Sequence, residues 1–280
     1  MDVSISIVSY NTKDLLKRCI DSIKKYTQDI SYEIIVVDNG STDGTRNMLR
    51  GLKVKTILNN TNLFFSKANN QAFKKAQGRY FLILNSDTYF VDNPVKQLVD
   101  YLDTHADVGI AEGLELYEDG TIVETGSRNS SPIIDFYELS IFGKRIADKK
   151  KIKDFRFAHI SRKRTFEIDV ACDAFLMIRS ELFKKLKGYD EDLSLYYTEN
   201  DLCIRSQKMG YKIMHYGECK VMHIVSVSAN KLRWKKLDIY YKDMLVYYKK
   251  HGKLAVGLFL FIMLHIEKLL LRVFRPNMFA

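Results

Sequence analysis

The sequence predicts an α/β fold in which helices flank a Rossmann-like, mostly parallel sheet. Over roughly the first hundred residues, short apolar runs rich in β-branched residues alternate with segments of helical periodicity. Strands joined by helices pair in parallel, because the chain returns to the same end of the sheet before each new strand. The predicted strands are residues 3–9, 32–37, 54–58, 80–84 and 108–111.

The first predicted helix, between the first two strands, illustrates the helical pattern. Asn11 or Thr12 is a candidate N-cap, and apolar side chains then recur at intervals of three and four residues. Similar helices are expected in the later gaps between strands. The apolar residues of the first helix are Leu15, Leu16, Cys19, Ile20 and Ile23.

Residues 118–164 interrupt this alternation with a polar segment that includes Gly120, Gly126, Pro132 and the basic run KRIADKKKIKDFRF. We expect a long functional excursion, able to close over a ligand, rather than a second core. Beyond it, residues 171–180 predict a strand followed by a short helix. Residues 189–210 predict a loop that leads into another helix.

The composition is that of an ordered globular protein with one substantial core: 280 residues, of which 46% are hydrophobic. The net charge of +10 does not choose among nucleic acid, anionic lipid and nucleotide diphosphates, since a basic surface attracts all three. The four cysteines show no CxxC pair or zinc spacing, so we expect neither a disulfide framework nor a structural zinc. The N-terminus has no signal-peptide pattern, and a reducing cytosol is the expected setting.

Residues 229–280 form a basic, aromatic extension that is expected to be helical. Its apolar run, residues 254–264, is shorter than the roughly 18 residues expected of a spanning helix. His265, Glu267 and Lys268 follow that run closely, so a spanning helix is disfavoured. An amphipathic helix lying in the membrane interface fits better. The alternative is a helix packed on the rest of the chain or on a second subunit.

Polar clusters follow the predicted strands, at the sheet edge where ligands bind in this class of fold. Taken singly, Asp and Asn residues at such positions commonly cap the next helix. Their convergence on one edge instead indicates a binding site. The clusters are Ser9-Tyr10-Asn11, Asp38-Asn39-Gly40-Ser41, residues 60–70, and Asn85-Ser86-Asp87.

The usual glycine-rich phosphate loops are missing, since neither GxGxxG after the first strand nor GxxxxGK[ST] occurs. A bound nucleotide diphosphate then needs another source of positive charge. A Mg²⁺ or Mn²⁺ ion held by a carboxylate supplies it, because hard cations take oxygen ligands from Asp and from phosphates together. Asp87, just past the very apolar strand at 80–84, is the candidate ligand.

Five features occur in a characteristic order and spacing over about residues 3–225: SIVSYN, IIVVDNGSTDGT, NNTNLFFSKANNQAFKKAQGRYFLILNSD, VACDAFLMIRSELFKKLKGYDEDLSLYYTENDLCIR and His223. Together they resemble glycosyltransferase family 2, and within it the rhamnosyltransferase-type enzymes of bacterial cell-surface polysaccharide assembly. The resemblance implies a GT-A fold over residues 1–228. The nucleotide-sugar half would cover about 1–115 and the acceptor half about 116–228, followed by the extension at 229–280.

The resemblance also implies which residues bind the nucleotide. Tyr10 would border the nucleobase, and Asp38 would hydrogen-bond its polar edge, with Asn39 supporting that loop. Asn69 corresponds to the amide that helps to enclose the nucleoside.

For the metal, the resemblance points to Asp87, which matches the metal-binding Asp of the family's DxD motif. Asn85 replaces the first Asp of that motif, which leaves one direct carboxylate ligand. His223 would supply another contact to metal or phosphate. The alternative is a structural histidine, the commoner role of a lone His.

On the acceptor side, Glu199 aligns with the family's catalytic carboxylate, since Thr198-Glu199 stands where Glu-Asp is usual. Asp201 also lies close and is a second catalytic candidate. Its spacing of four from Arg205 equally fits an ion pair on a helix surface, so Glu199 is the better base. Asp173 would contact the acceptor or donor sugar, or else be a buried structural residue.

The implied function is metal-dependent, inverting transfer of a sugar, with Glu199 as general base. The expected partners are a UDP-, dTDP- or GDP-sugar, a saccharide or lipid-linked acceptor, and the inner face of the cell membrane through the C-terminal helices. No nucleic-acid partner is expected, and a homo-oligomer stays open.

Two other classes compete with this prediction. A nucleotide-dependent oxidoreductase or nucleotidyltransferase would suit the sheet, but the missing glycine pattern argues against an oxidoreductase. A non-catalytic, membrane-associated sugar-binding scaffold would have had no need to retain Asp38, Asp87 and Glu199.

Overall fold

A mixed sheet forms the centre of the protein, whose computed structural model describes residues 1–224 and 234–274. The strands are β1 (Val3–Ser9), β2 (Tyr32–Asp38), β3 (Lys55–Leu58), β4 (Tyr80–Asn85), β5 (Thr88–Tyr89), β6 (Val108–Leu116), β7 (Phe166–Ile168), β8 (Phe175–Arg179) and β9 (Lys212–His223). Their order across the sheet is β3-β2-β1-β4-β8-β6-β9-β5, and β7 pairs with β9.

Helices connect and cover these strands. They are α1 (Lys13–Tyr26), α2 (Thr45–Arg50), α3 (Phe64–Phe73), α4 (Pro94–Thr104), α5 (Pro132–Leu139), α6 (Ile141–Ile146), α7 (Lys149–Phe155), α8 (Ser180–Lys185), α9 (Thr198–Lys208), α10 (Trp234–Lys250) and α11 (Leu254–Phe274).

The predicted α/β class is confirmed, and its parallel half is built from the predicted strands. β1 pairs in parallel with β2 and β4, and β2 pairs in parallel with β3. The fifth predicted strand, β6, does not lie beside β4. Instead β8 lies between them and runs antiparallel to both, and β6 finds its parallel partner in β9. The chain enters β8 from the opposite end of the sheet because the excursion at 118–164 precedes it.

Helices pack on both faces of the sheet, which is why the inner strands are apolar on both sides. On one face Ile5 and Leu82 pack with side chains of α1 and α4. On the other face Ile35 and Phe81 pack with side chains of α3 and α8. The sheet is thereby fixed as a rigid platform, and its carboxyl edge is left for ligands.

A third apolar cluster joins the excursion to the C-terminal helices. Phe136 and Leu139 of α5 pack against buried residues of α10 and α11. The excursion therefore contributes to a satellite core, which the expectation of a purely functional loop did not include. Its α5 and α6 are too short to be stable alone and gain their stability from this contact. The buried members are Leu193, Tyr197, Tyr241, Met244, Tyr247, Tyr248, Leu260 and Leu264.

Two charged residues of α11 face the protein. Lys268 is buried in an ion pair with Asp238 of α10, and Glu267 accepts hydrogen bonds from the backbone N–H groups of Ile141 (2.6 Å) and Phe142 (3.2 Å) at the start of α6. These contacts turn both charges inward and leave an outward face that is apolar up to Arg272, which is exposed in the last turn. The exposed side chains of that face include Leu258, Phe259, Ile262, Ile266, Leu269, Leu270 and Val273.

The helical segment Leu254–Val273 is long enough and apolar enough to cross a membrane, by length and composition alone. The uninterrupted apolar run of the sequence ends at 264, but the helix continues to Phe274, and its Glu267 and Lys268 are bound within the protein. That this helix lies in the membrane interface rather than spanning the membrane stays a prediction.

Asp243 of α10 holds the loop that precedes α9. Its carboxylate is fully buried, and one oxygen accepts hydrogen bonds from the backbone N–H groups of Ser194 (3.0 Å), Leu195 (2.8 Å) and Tyr196 (3.0 Å). A carboxylate that binds three amides fixes the backbone of that loop more firmly than a neutral acceptor would. The C-terminal helices are thereby tied to the rest of the protein by a polar contact as well as by apolar packing.

We expect Asp243→Ala to lower the free energy of unfolding by about 2–5 kcal/mol, because three buried N–H groups lose their acceptor. Chemical denaturation followed by circular dichroism measures this. Asp100→Ala is the matched control, since Asp100 is exposed and paired with Lys96 on one helix, and it should change stability by less than about 0.5 kcal/mol. Equal losses in the two variants would contradict the role given to Asp243.

Candidate functional site

A cavity of about 440 Å³ opens at the carboxyl ends of β1, β2 and β4, and we call it the sheet-edge cavity. Its wall joins residues from the strand ends to the loop before β8, the loop before α9 and the end of β9. It contains both apolar faces and converging polar groups, as small-molecule sites do. The predicted site residues that line it are Tyr10, Asn39, Asp87, Asp173, Glu199 and His223.

Three predicted site residues do not line this cavity. Asp38 is fully buried and bound by Arg46 (Nε to Oδ2, 2.9 Å), so its carboxylate is already engaged. Asn69 is fully buried and accepts a hydrogen bond from Ser6 Oγ (2.7 Å) behind the wall. Neither side chain lines the cavity in this geometry, and their predicted nucleoside contacts stay predictions. Both side chains hold the backbone on which the cavity is built.

Asp201 lies on the far side of α9. Its carboxylate accepts from Arg205 Nε (2.7 Å) and lies 3.2 Å from His251 Nε2. Burial alone raises the pKa of Asp201, but the interactions with His251 and Arg205 outweigh it and lower the pKa. The geometry thus matches the ion pair that the spacing predicted as the alternative to catalysis.

Asp87 and His223 form a polar pair on the cavity wall. His223 ends β9, where it lies opposite Thr88 of β5, and its Nε2 is 3.4 Å from Asp87 Oδ1. Its Nδ1 lies 2.6 Å from Glu115 Oε2 of β6. Burial alone lowers the pKa of His223, but the two carboxylates outweigh it and raise the pKa to about 10.

This pair fits a divalent cation that shares its ligands with a substrate. Within residues 1–224 and 234–274, no three His, Cys, Asp or Glu side chains are arranged to hold a metal by themselves. Mg²⁺ and related ions are commonly held by one or two protein groups together with substrate phosphates. His223 Nε2 makes no hydrogen bond within the described residues and lies 3.4 Å from Asp87 Oδ1, and a metal bound there would displace the proton that the raised pKa retains.

Glu115 is a site residue that the sequence analysis missed. It is fully buried in β6 and orients the His223 ring, as carboxylates behind metal-binding histidines do. The sequence feature that could have revealed Glu115 is the occurrence of two glutamates, Glu112 and Glu115, in an otherwise apolar strand. Buried carboxylates in such a strand need partners and therefore mark a polar site.

A second polar group lies across the cavity and contains Asp173 and Glu199. The hydroxyl of Thr198 is 2.8 Å from Asp173 Oδ2 and 3.0 Å from Glu199 Oε2, and Tyr189 donates to Asp173 Oδ1 (2.6 Å). Burial raises the pKa of Glu199, and burial together with the charge of Glu199 raises the pKa of Asp173. A carboxylate with a raised pKa is a stronger proton acceptor, which suits a general base.

The backbone before Glu199 is held in an uncommon conformation. Tyr197 has a positive φ of 58°, in the left-handed region, and immediately precedes α9. Such strain at a non-glycine residue costs of order 1–3 kcal/mol and occurs where a site requires a particular side-chain direction. Here it turns the chain so that Glu199 enters the cavity from the first turn of the helix.

A second cavity of about 260 Å³ adjoins the first. Cys172, Glu199 and His223 line both cavities. The rest of its wall comes largely from the excursion and from α9 and α10. Glu199 thus lies at the junction of two cavities, where a base can reach a molecule held in either one.

The fold and site define an α/β protein with a carboxylate at the junction of two cavities. The profile of Glycosyl transferase family 2 matches residues 4–187. The chain belongs to this family, which the sequence motifs predicted.

Two curated relatives illustrate the similarity. The chain is 28% identical over 169 residues to the UDP-Glc:alpha-D-GlcNAc-diphosphoundecaprenol beta-1,3-glucosyltransferase WfaP of Escherichia coli, an alignment that covers 58% of this chain and 66% of WfaP. It is also 28% identical over 186 residues to the poly(ribitol-phosphate) beta-N-acetylglucosaminyltransferase TarP of Staphylococcus aureus, covering 60% of this chain and 56% of TarP. The chain therefore spans less than two thirds of the length of each of these relatives.

A solved structure shows the same fold. The mannosyltransferase PcManGT from Pyrobaculum calidifontis, in complex with GDP-Man and Mn²⁺, matches with a TM-score of 0.57 and 16% identity. The match covers 98% of this chain and 81% of that one. At this identity the similarity concerns the fold alone.

We expect Asp87→Asn to weaken Mn²⁺ binding at least about 10-fold in the presence of UDP or GDP, because the amide lacks the charge that a hard cation prefers. Electron paramagnetic resonance of free Mn²⁺ measures the affinity without requiring turnover. Asp107→Asn, at an exposed pair with Lys212, is the control and should bind like the wild type. Wild-type Mn²⁺ affinity in the Asp87 variant would remove this residue from the metal site.

Proposed function

We propose that this protein is an inverting glycosyltransferase that moves a sugar from a nucleotide diphosphate to a hydroxyl of a saccharide or lipid-linked saccharide. The observation that carries the proposal is the position of Glu199 in the walls of both cavities, opposite Asp87 and His223. A base at this junction can take a proton from an acceptor in one cavity while the donor occupies the other. The family membership of the chain supports this arrangement.

The nucleotide sugar would occupy the sheet-edge cavity. Tyr10 and Asn39 would contact its nucleoside, since both line this cavity at the strand ends. Asp87 and His223 would hold Mn²⁺ or Mg²⁺ together with the diphosphate. When bound, the metal supplies positive charge that stabilises the negative charge developing on the leaving diphosphate. The similar mannosyltransferase PcManGT was solved with GDP-Man and Mn²⁺, which supports a nucleotide sugar and a divalent metal as ligands.

Transfer would be a single displacement. Glu199 accepts the proton of the acceptor hydroxyl as that oxygen bonds to the anomeric carbon, and the bond from this carbon to the diphosphate breaks on the opposite face. One displacement inverts the configuration. Thr198 and Asp173 position the Glu199 carboxyl, and the raised pKa of Glu199 matches the need to accept a proton near neutral pH.

We expect Glu199→Gln to lower kcat by a factor of about 10² or more, with donor affinity little changed, because the amide cannot accept the proton. Release of nucleoside diphosphate in the presence of acceptor gives kcat, and isothermal titration with the donor gives affinity. Asp201→Asn is the matched control on the same helix. It should retain turnover and lose mainly stability, since Asp201 pairs with Arg205 and His251.

The opposite result, an inactive Asp201→Asn and an active Glu199→Gln, would move the base by two residues. Wild-type turnover in both variants would exclude a carboxylate base on this helix.

The outward face of α11 supports a peripheral position on the inner face of the cell membrane. Its Glu267 and Lys268 are bound within the protein, so the exposed apolar side chains of this face can enter the lipid interface, with the exposed Arg272 at the end of the helix. The high proportion of basic residues near α10 adds attraction to anionic lipid. The relative WfaP is named for a lipid-linked acceptor, which is consistent with work at a membrane surface.

We expect the double substitution Phe259→Asp and Leu269→Asp to reduce flotation with vesicles that contain anionic lipid by about tenfold or more, because both side chains lie on the exposed apolar face. Met209→Asp, an exposed apolar position outside α11, is the control and should float like the wild type. Unchanged flotation together with loss of a dimer in light scattering would assign this face to a second subunit instead.

A further inference from the structure

The second cavity is built mainly from parts of the chain outside the sheet. The excursion supplies residues between 123 and 138 and Phe155 and Arg156, and α10 supplies Tyr240. Its volume of about 260 Å³ lies just below the roughly 300–1,000 Å³ typical of small-molecule pockets. A space of this size suits one sugar ring rather than a longer saccharide.

Carboxylates dominate the wall of the second cavity. Arg156 is the one guanidinium among its described lining residues, and it is already paired with Glu138 (2.6 Å). His223, which also lines the cavity, pairs with Glu115 (2.6 Å), so the two cationic side chains offset two of the five carboxylates and an excess of negative charge remains. The carboxylates are Glu115, Glu124, Asp135, Glu138 and Glu199.

Glu115 contributes to this wall a carboxylate oxygen, Oε1, that has no hydrogen-bond donor in the described part of the chain. Its other oxygen holds His223, whereas Oε1 is buried. A buried carboxylate oxygen left without a donor costs free energy, so a ligand hydroxyl that reaches it gains more than one exposed to water. The aromatic side chains of Phe155 and Tyr240 add apolar surface for the C–H face of a sugar.

We propose that the second cavity binds the reacting sugar of the acceptor, and that this sugar carries no negative charge. The inference rests on the proposed transferase function and adds the chemical class of its acceptor. Ring hydroxyls donate to the carboxylates, whereas a uronic acid or a phosphate-bearing unit would face several negative charges at close range. Any lipid diphosphate of the acceptor then lies outside this cavity. Charge would distinguish this acceptor from the poly(ribitol-phosphate) for which the relative TarP is named.

The test measures binding of three probes to the full chain: octyl β-glucoside, octyl β-glucuronide and octyl β-glucosaminide, with the matching galacto series. Saturation-transfer NMR in the presence of UDP and Mg²⁺ gives Kd without requiring turnover. In at least one series the neutral probe should bind at least about tenfold more tightly than the uronide, the effect of one uncompensated like-charge contact. Tighter binding of a uronide than of the neutral probe, or no binding of any probe, would overturn the proposal, whereas the cationic aminosugar should bind at least as tightly as the neutral probe.

Charge reversal on the wall provides the matched comparison. Glu124→Arg, at an exposed lining residue, should reduce the preference for the neutral probe about fivefold or more. Glu167→Arg makes the same charge change at an exposed residue of β7 that lines neither cavity, and it should leave the preference unchanged. An equal effect in both variants would trace the preference to overall charge and remove the cavity from the explanation.

Donor hydrolysis in the same preparations separates this inference from the proposed function. Metal-dependent release of nucleoside diphosphate without the expected probe preference would leave the transferase standing and reject the proposed class of acceptor. Probe preference without release from any nucleotide sugar would reject the transferase and leave a saccharide-binding cavity.

Discussion

The antiparallel insertion of β8 between β4 and β6 is the constraint on which the site depends. β4 and β8 run in opposite directions, so the amino end of β8 meets the carboxyl end of β4, where Asn85 N bonds to Ala174 O (3.0 Å). This contact brings the loop that carries Asp173 to the edge that carries Asp87. A parallel β8 would place the two residues at opposite ends of the sheet.

The insertion also explains how two halves of the chain form one centre. β6 is moved one strand away from β4 and pairs with β9, which delivers His223 to the same edge. The pair of Asp87 and His223 is thus formed by residues that are nearly half the chain apart. Bringing such distant residues together costs conformational entropy, and the packing of the sheet offsets this cost. A surface loop could not hold the same geometry.

Local sequence pattern was sufficient to predict the strands in the first half of the fold and to place several polar residues at the ends of those strands. The strand from Val3 to Ser9 and the residues that follow β2 and β4 were predicted because apolar periodicity and polar strand ends are local signals. The direction of β8 was not predictable in this way, since an apolar run is the same in either direction. Glu115 was missed for a related reason, because its partner is more than one hundred residues away.

The differences at Asp38, Asn69 and α11 have one physical origin. Sequence pattern indicates that a polar residue lies near an edge, but its hydrogen-bond partner decides whether it faces a ligand or the protein. Arg46 engages Asp38 and Ser6 engages Asn69, so both become internal supports. A hydrogen-bond partner also decides where a charged residue of α11 lies. Asp238 pairs with Lys268 and holds it against the protein, which leaves the outer surface of the helix more apolar than the sequence suggested.

The helical hairpin of α10 and α11 contributes directly to the walls around Glu199. Gly257 lies so close to Tyr248 that an added Cβ would be 2.6 Å from the tyrosine Cβ, and Asp243 is bonded to the loop before α9. Packing therefore holds the two helices against each other, and Asp243 holds them against the loop before α9. On the proposed membrane, these contacts would keep Glu199 at a fixed height above the lipid. A lipid-linked saccharide would then react only when its accepting hydroxyl reaches that height.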